Sequence, residues 1–143
     1  VVFVDDYAHL PTEISAVLSS CTDASDSWTR VVAVFQPNRF NRMQHMSEAY
    51  ANCFAHADHV VITDIYSSGT APIAGVTGKL VVDAIVREHP QTSVAWKSTR
   101  VELIEHLATE LRAGDICISM GCGDIETLPD EVIAARRALR GDS

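Results

Sequence analysis

Val4-Asp5-Asp6-Tyr7-Ala8-His9-Leu10-Pro11-Thr12-Glu13 closes an apolar, β-branched run and passes directly into a helical pattern. Val34-Phe35-Gln36-Pro37-Asn38-Arg39-Phe40-Asn41-Arg42 does the same further along. Polar groups therefore gather where strands give way to helices, which in an open α/β sheet is the edge that binds ligands. Outward from these stretches the alternation continues. Strand-like runs cover Val1 to Val4, Val31 to Phe35, Val60 to Thr63, Ser93 to Trp96 and Ile116 to Ser119. Helical patterns cover Thr12 to Ser20, Met43 to His56, Lys79 to Glu88, Arg100 to Arg112 and Pro129 to Arg140. This order predicts an α/β, three-layer, Rossmann-like domain: a mostly parallel sheet of about five or six strands with helices on both faces. Short strands without strict polar alternation suit a sheet covered on both sides.

Boundary residues agree with that reading. Pro11-Thr12 and Pro129 suit a first helical turn, and Ala113-Gly114 and His89-Pro90 suit helix ends. In the fourth helix Val101, Ile104, Leu107, Ala108 and Leu111 fall at helical spacing, with Glu102, Glu105 and Glu110 turned outward. Only Ala24 to Ser27 and Gly141 to Ser143 read as loose.

With 143 residues, the chain fits one domain, 1–143, with core enough to fold without disulfides or metal. A formal net charge of -8 argues against a general nucleic-acid surface, which needs a basic stripe to displace counterions. Cys21, Cys53, Cys117 and Cys122 form no C-x-x-C pair, and Cys117 lies in an apolar run, so a reduced, cytoplasmic protein is expected. No apolar stretch is long enough to span a bilayer. The start on Val1-Val2-Phe3-Val4, without Met, reads as a piece of a longer protein.

Asp6 and His9 bracket a strand end. Asp6 can accept hydrogen bonds from ribose hydroxyls, or help cap the helix while His9 packs against it. Arg39 and Arg42, three residues apart after a strand, suit a carboxylate, because a guanidinium binds one bidentately; an exposed arginine pair is also an ordinary solvated surface. Gly121-Cys122-Gly123-Asp124 reads as a close-approach turn in which Asp124 either holds an amino group or sits near a helix N-cap. Cys122 has no base placed beside it and reads as a small neighbour. Asp64 and Tyr66 are candidate supports in a further strand-end loop. Gly75-Val76-Thr77-Gly78-Lys79-Leu80 is no phosphate loop, since that pattern wants glycine where Ile73 stands and Ser or Thr where Leu80 stands. His56-Ala57-Asp58-His59 carries too few ligands for a metal site, and His45, His89 and His106 read as surface positions. Trp28 and Trp96 are too isolated to form a stacking platform.

The two opening stretches, with Asp64-Ile65-Tyr66-Ser67-Ser68-Gly69-Thr70-Ala71-Pro72-Ile73 and Gly114-Asp115-Ile116-Cys117-Ile118-Ser119-Met120-Gly121-Cys122-Gly123-Asp124-Ile125, resemble in order the motifs of the C-terminal domain of the Mur ligase family. They are most similar to the branch that joins L-alanine to UDP-N-acetylmuramate in peptidoglycan precursor synthesis. The resemblance implies a lid domain of an ATP-dependent acid–amino-acid ligase working through an acyl phosphate. Asp6 and His9 would contact the nucleotide, with Tyr7 as a wall. Asn38, Arg39, Arg42 and Asp124 would line the amino-acid pocket. ATP and Mg²⁺ would be held mainly by a central domain outside these residues, with no catalytic or metal-binding residue here and no turnover by this domain alone. The implied partners are the N-terminal and central domains of the same polypeptide, L-alanine, ATP and UDP-N-acetylmuramate. The chain departs from the family at Leu10 and Asn38, where a histidine is usual, and at Cys122, where alanine is usual. Two other readings stay open: the tripeptide-recycling ligase of the same family, and a stand-alone nucleotide- or anion-binding regulatory module.

Overall fold

In the computed structural model, residues 1–23 and 27–141 are described; of the two segments expected to be loose, Ala24, Ser25, Asp26, Asp142 and Ser143 lie outside them. Five strands, β1 (Val2–Asp6), β2 (Arg30–Phe35), β3 (His59–Ile62), β4 (Val94–Trp96) and β5 (Asp115–Met120), form one sheet in the order β1-β5-β2-β3-β4. Every neighbouring pair is parallel. Between and after the strands run α1 (Pro11–Asp23), α2 (Phe40–Met46), α3 (Lys79–Glu88), α4 (Arg100–Glu110) and α5 (Leu128–Leu139). The fold class expected from the alternation is the one found.

The apolar runs split between two faces because successive side chains of a strand point opposite ways. Val31, Ala33 and Phe35 of β2, with Ile116, Ile118 and Met120 of β5, pack under Ile14 and Leu18 of α1, Met43 of α2 and Val81 and Ile85 of α3. Val32, Val34 and Cys117 turn the other way, onto Leu103 and Leu107 of α4 and Leu128 and Val132 of α5. The chain moves one way across the sheet through α1, α2 and α3 and returns through α4, and right-handed crossovers then put the helices on opposite faces. The loops after β1 and β5, adjacent strands, thus leave towards opposite faces and open a crevice between them.

Two expectations about the helices need correction. The run from Met43 to His56 is not one helix: α2 ends at Met46, a 3-10 turn spans Ser47–Tyr50, and turns follow to residue 56. Tyr50, Cys53 and Phe54 are all buried, with Tyr50 stacked on Phe35 at 5.2 Å between ring centroids, so packing of these rings overrides helical continuation. In α4, Val101 is 65% exposed, because the buried face runs through Leu103 and Leu107.

Candidate functional site

The loops after β2 and β3 run on together beyond the last paired residues of their strands. Tyr66 N–H donates to the Pro37 carbonyl and Arg39 N–H to the Tyr66 carbonyl, both at 2.9 Å. The Asn38 side-chain amide donates to Ser68 Oγ, and Phe40 N–H donates to Thr70 Oγ1 at 3.0 Å. This stitching holds two non-glycine residues at positive φ, Arg39 at 69° and Ser68 at 48°. Such conformations cost on the order of 1–3 kcal/mol each and persist where the surroundings over-determine them. The outcome is positional: Arg39 is exposed at the head of α2, and Arg42, one turn on, donates from Nη1 to Asn38 Oδ1 at 3.3 Å. Asn38 itself is only 3% exposed, so its place is beneath Arg42, which it orients.

The loop after β1 is organised by residues that sequence reading passed over. Asp6 Oδ1 accepts from Ala8 N–H at 2.9 Å and closes a local turn, while Glu13 caps α1 by accepting from Leu10 N–H at 3.0 Å and His9 N–H at 3.3 Å. Those two bonds hold the Glu13 carboxyl below its usual range, with help from the charges of His9 and Arg42. The cap expected of Asp6 is thus made by Glu13, as the reciprocal arm of a capping box. His9 Nδ1 lies 3.1 Å from the Tyr7 carbonyl and 3.5 Å from Glu13 Oε1, and the Tyr7 ring stands edge-on to the imidazole at 5.6 Å. Tyr50 Oη donates to the His9 carbonyl at 2.7 Å. Burial pushes this phenol up to about 12, against the field of nearby Arg42. Tyr50 therefore ties the Asp6–His9 loop to the Arg42 helix, and the two predicted constellations share one edge of the sheet.

Two clefts open on that edge. The first, of about 280 Å³, lies at the ends of β1 and β5 between Asp5, Tyr7, Tyr66, Cys122 and Asp124. The second, of about 210 Å³, lies towards β4 between Gln36, Thr63, Asp64, Ser98 and Arg100, and shares Tyr66 and Asp124 with the first. Neither takes Arg39 or Arg42 into its lining, so the arginine pair flanks the clefts instead of closing one pocket. Asp124 is held by three contacts: Gln36 Nε2 donates to Oδ1 at 2.7 Å, and Arg100 Nη2 donates to both Oδ1 and the backbone carbonyl at 3.0 Å. Arg100 also bonds Glu131 of α5 at 3.0 Å. A visible signal for Arg100 was its place in the first turn of α4, where the helix dipole disfavours a cation unless carboxylates wait for it. Gln36 Oε1 is buried without a hydrogen-bond partner among the described residues, an arrangement that costs about 1–3 kcal/mol.

Asp64 Oδ1 accepts from Ile65 N–H at 2.8 Å and Gly78 N–H at 3.2 Å, so it braces the loop that carries Tyr66. The same bond takes the N–H of Gly78, while Lys79 N–H is used by Thr77 Oγ1. A phosphate cradle needs those donors free, and the residues present do not fit one. Among the described residues no group of three or more His, Cys, Asp or Glu is placed to hold a metal ion. The Tyr7 ring is 70% exposed beside the Asp6 carboxylate, whose Oδ1 is already engaged by Ala8 N–H.

At the opposite edge one expectation is corrected. His106 is not a plain surface residue: its Nε2 lies 3.0 Å from Nε2 of buried His59, whose Nδ1 meets Ser93 Oγ at 2.8 Å. Burial lowers the pKa of both imidazoles, and the nearby His59 lowers that of His106 further.

The family profile described as Mur ligase, glutamate ligase domain, matches residues 1–123. The UDP-N-acetylmuramate–L-alanine ligase of a Geobacter species is 39% identical over 140 residues, 98% of this chain and 30% of that protein. The ligase of the same name from Gloeobacter violaceus is 41% identical over 133 residues, 93% of this chain and 28% of its own length. The chain thus spans about 30% of the length of the curated relatives it matches. Among solved structures, the UDP-N-acetylmuramate–alanine ligase of Thermotoga maritima aligns with a TM-score of 0.68 at 22% identity, covering 96% of this chain and 27% of that one. A murein peptide ligase from Psychrobacter arcticus aligns with a TM-score of 0.72 at 22% identity, covering 94% and 27%. At that identity the two structures speak to the fold alone. No helix among the described residues is long and apolar enough to cross a membrane.

Proposed function

The chain belongs to the Mur ligase family, through its glutamate ligase domain, and from that premise we propose that it is the C-terminal lid of an ATP-dependent ligase that joins L-alanine to UDP-N-acetylmuramate. The observation that carries the reading is the gathering of the Asp6–His9 loop, the Asn38–Arg42 segment and Asp124 on one edge of the sheet, joined through Tyr50, Tyr66 and Gln36. The two relatives at 39% and 41% identity, both named for that reaction, support the choice of substrate pair.

In this reading ATP supplies the phosphoryl group that activates the muramyl carboxylate, and it is held mainly by the other domains. What these residues do is bind and orient. Arg39 and Arg42 take the carboxylate of the amino acid, with Asn38 fixing Arg42 from below. Asp124, held in place by Arg100 and Gln36, takes the amino group. Asp6, Tyr7 and His9 meet the nucleoside. The arginines flank an open edge, so the site is completed only when a second lobe closes on it, and closure excludes water from the activated carboxyl.

The test is kinetic. Arg42→Ala in the full-length ligase is expected to raise the KM for alanine at least about tenfold, as loss of a charged hydrogen bond implies, and to leave the KM for ATP nearly unchanged. Equal rises in both would remove Arg42 from the amino-acid pocket.

A further inference from the structure

We propose that the side-chain carbonyl of Gln36 is an acceptor for the amino group of the incoming amino acid, uncovered when the Tyr66 ring leaves the seam between the two clefts. The inference rests on the reading above and deepens it at a residue that reading does not use for binding. Gln36 is 7% exposed, and its amide orientation is fixed, because Nε2 donates to Asp124 Oδ1 at 2.7 Å and a carboxylate can only accept. Oε1 therefore faces the other way, buried and without a partner among the described residues.

What covers it is identifiable. A Cβ built on Gly123 would fall on the Tyr66 ring and come within 2.8 Å of Gln36 Oε1, so ring and carbonyl meet over a spot where only a glycine hydrogen fits. Tyr66 is 39% exposed and lines both clefts, so its ring is the part of this seam that borders solvent. Displacing it joins the clefts and opens the carbonyl. Asp124, whose side chain is 62% exposed, stands beside it with acceptor capacity left after its bonds to Gln36 and Arg100.

One neutral and one anionic acceptor side by side select a group rich in N–H donors. Arg100 is engaged by Asp124 and Glu131, so the two open acceptor positions, on Gln36 and Asp124, are what a ligand meets between them. The pair thus orients an amino acid, amino end towards Gln36 and Asp124 and carboxylate towards the arginines. A neutral carbonyl also suits a nucleophile that has to give up a proton, because it accepts from an amine as well as from an ammonium, whereas a second carboxylate would hold the cation.

The experiment uses the full-length ligase and compares L-alanine with propionate, which keeps the carboxylate and methyl but lacks the amino group. Gln36→Met, which removes both the carbonyl and the Nε2 bond to Asp124, is expected to raise the KM for alanine at least about tenfold, while the inhibition constant of propionate and the KM for ATP stay within about twofold. Gly123→Ala leaves Gln36 and its bond to Asp124 in place but sets a methyl carbon within 2.8 Å of Oε1, which covers the carbonyl even when the Tyr66 ring is pushed aside, so it is expected to erode the preference for alanine over propionate without touching Asp124. Its backbone, at φ -110°, accepts any residue, so the added carbon is the cause, and this variant decides the matter if Gln36→Met does not fold. An unchanged preference for alanine over propionate in the variants that fold overturns the assignment. Arg42→Ala separates two failures: if it raises the alanine KM while the other two variants do not, the Gln36 role falls and the ligase reading stands. If none of the three moves it, the ligase reading falls as well.

Discussion

Asn38 occupies the position where the family usually has histidine, and its surroundings explain what an amide does there. With 3% exposure it bonds Ser68 through its nitrogen and Arg42 through its oxygen, tying two loops and a helix with one side chain. Asn38→Ala is expected to destabilise the protein by about 1–3 kcal/mol, since Ser68 loses its partner in a buried setting, and urea unfolding checks it. Asn38→Asp should keep the Arg42 contact and can accept from the Ser68 hydroxyl in place of donating to it, so its loss should be smaller than that of Asn38→Ala. Spacing alone left Arg39 and Arg42 open between a carboxylate-binding pair and an ordinary solvated surface, and it was the family resemblance that chose between them. That Arg42 is braced from beneath was not legible, because nothing in the order of residues says which side of a loop is buried. Gln36 escaped for a related reason: a glutamine before a proline carries no signal of chemistry until its carbonyl is found orphaned.

The elements bear on function mainly through close approach. Gly78 precedes α3, and a Cβ there would collide with the Thr63 carbonyl and reach within 2.8 Å of the Trp96 ring. Gly78→Ala is expected to cost about 1–3 kcal/mol through overpacking, seen as a lowered melting temperature, and to disturb the Asp64 brace that accepts the Gly78 N–H. The strands lay, to within one or two residues, where the apolar runs put them, and α3 where its helical pattern did. The segment from Met43 to His56 did not, since the burial of Tyr50, Cys53 and Phe54 against β2 pulls the chain out of a helical path. Periodicity reports which residues are apolar, and a helix and a chain of tight turns can bury the same three.

The two edges of the sheet differ: the loops after β1, β2, β3 and β5 gather at one, and a packed polar network closes the other. There Arg30 bonds Asp115 through both Nε and Nη2, at 2.9 and 2.7 Å, and Glu110 at 2.9 Å, beside the His59–His106 pair. Ring centroids 5.3 Å apart with a 3.0 Å Nε2 contact place the imidazoles end to end, sharing one proton. Glu110, Arg30, Asp115 and Lys97 are the charges acting on them. Both imidazoles titrate below the ordinary histidine value, so the unfolded chain binds protons first as pH drops. Stability is therefore full above pH ~6.5 and declines below it towards the folded-state values, the contacting imidazoles titrating as one coupled pair. The Glu110 carboxyl, lowered by its bond to Arg30, adds its own loss only below its ordinary value of 4.5. Urea midpoints measured from pH 7.5 to 5 should show the first decline, and His106→Asn should flatten it; an equal slope in the variant would count against the pair. Also at this scale, the purified chain given ATP, UDP-N-acetylmuramate and L-alanine is expected to form no product, and measurable product would overturn its role as a lid. The sequence by itself determined the α/β alternation, the family and the loops that carry polar chemistry, because strand and helix periods and short motifs are local properties. Which of those groups stand exposed, which are braced, and that His59 meets His106 across 47 residues were decided only by the tertiary structure. Burial and pairing depend on what a distant part of the chain brings alongside.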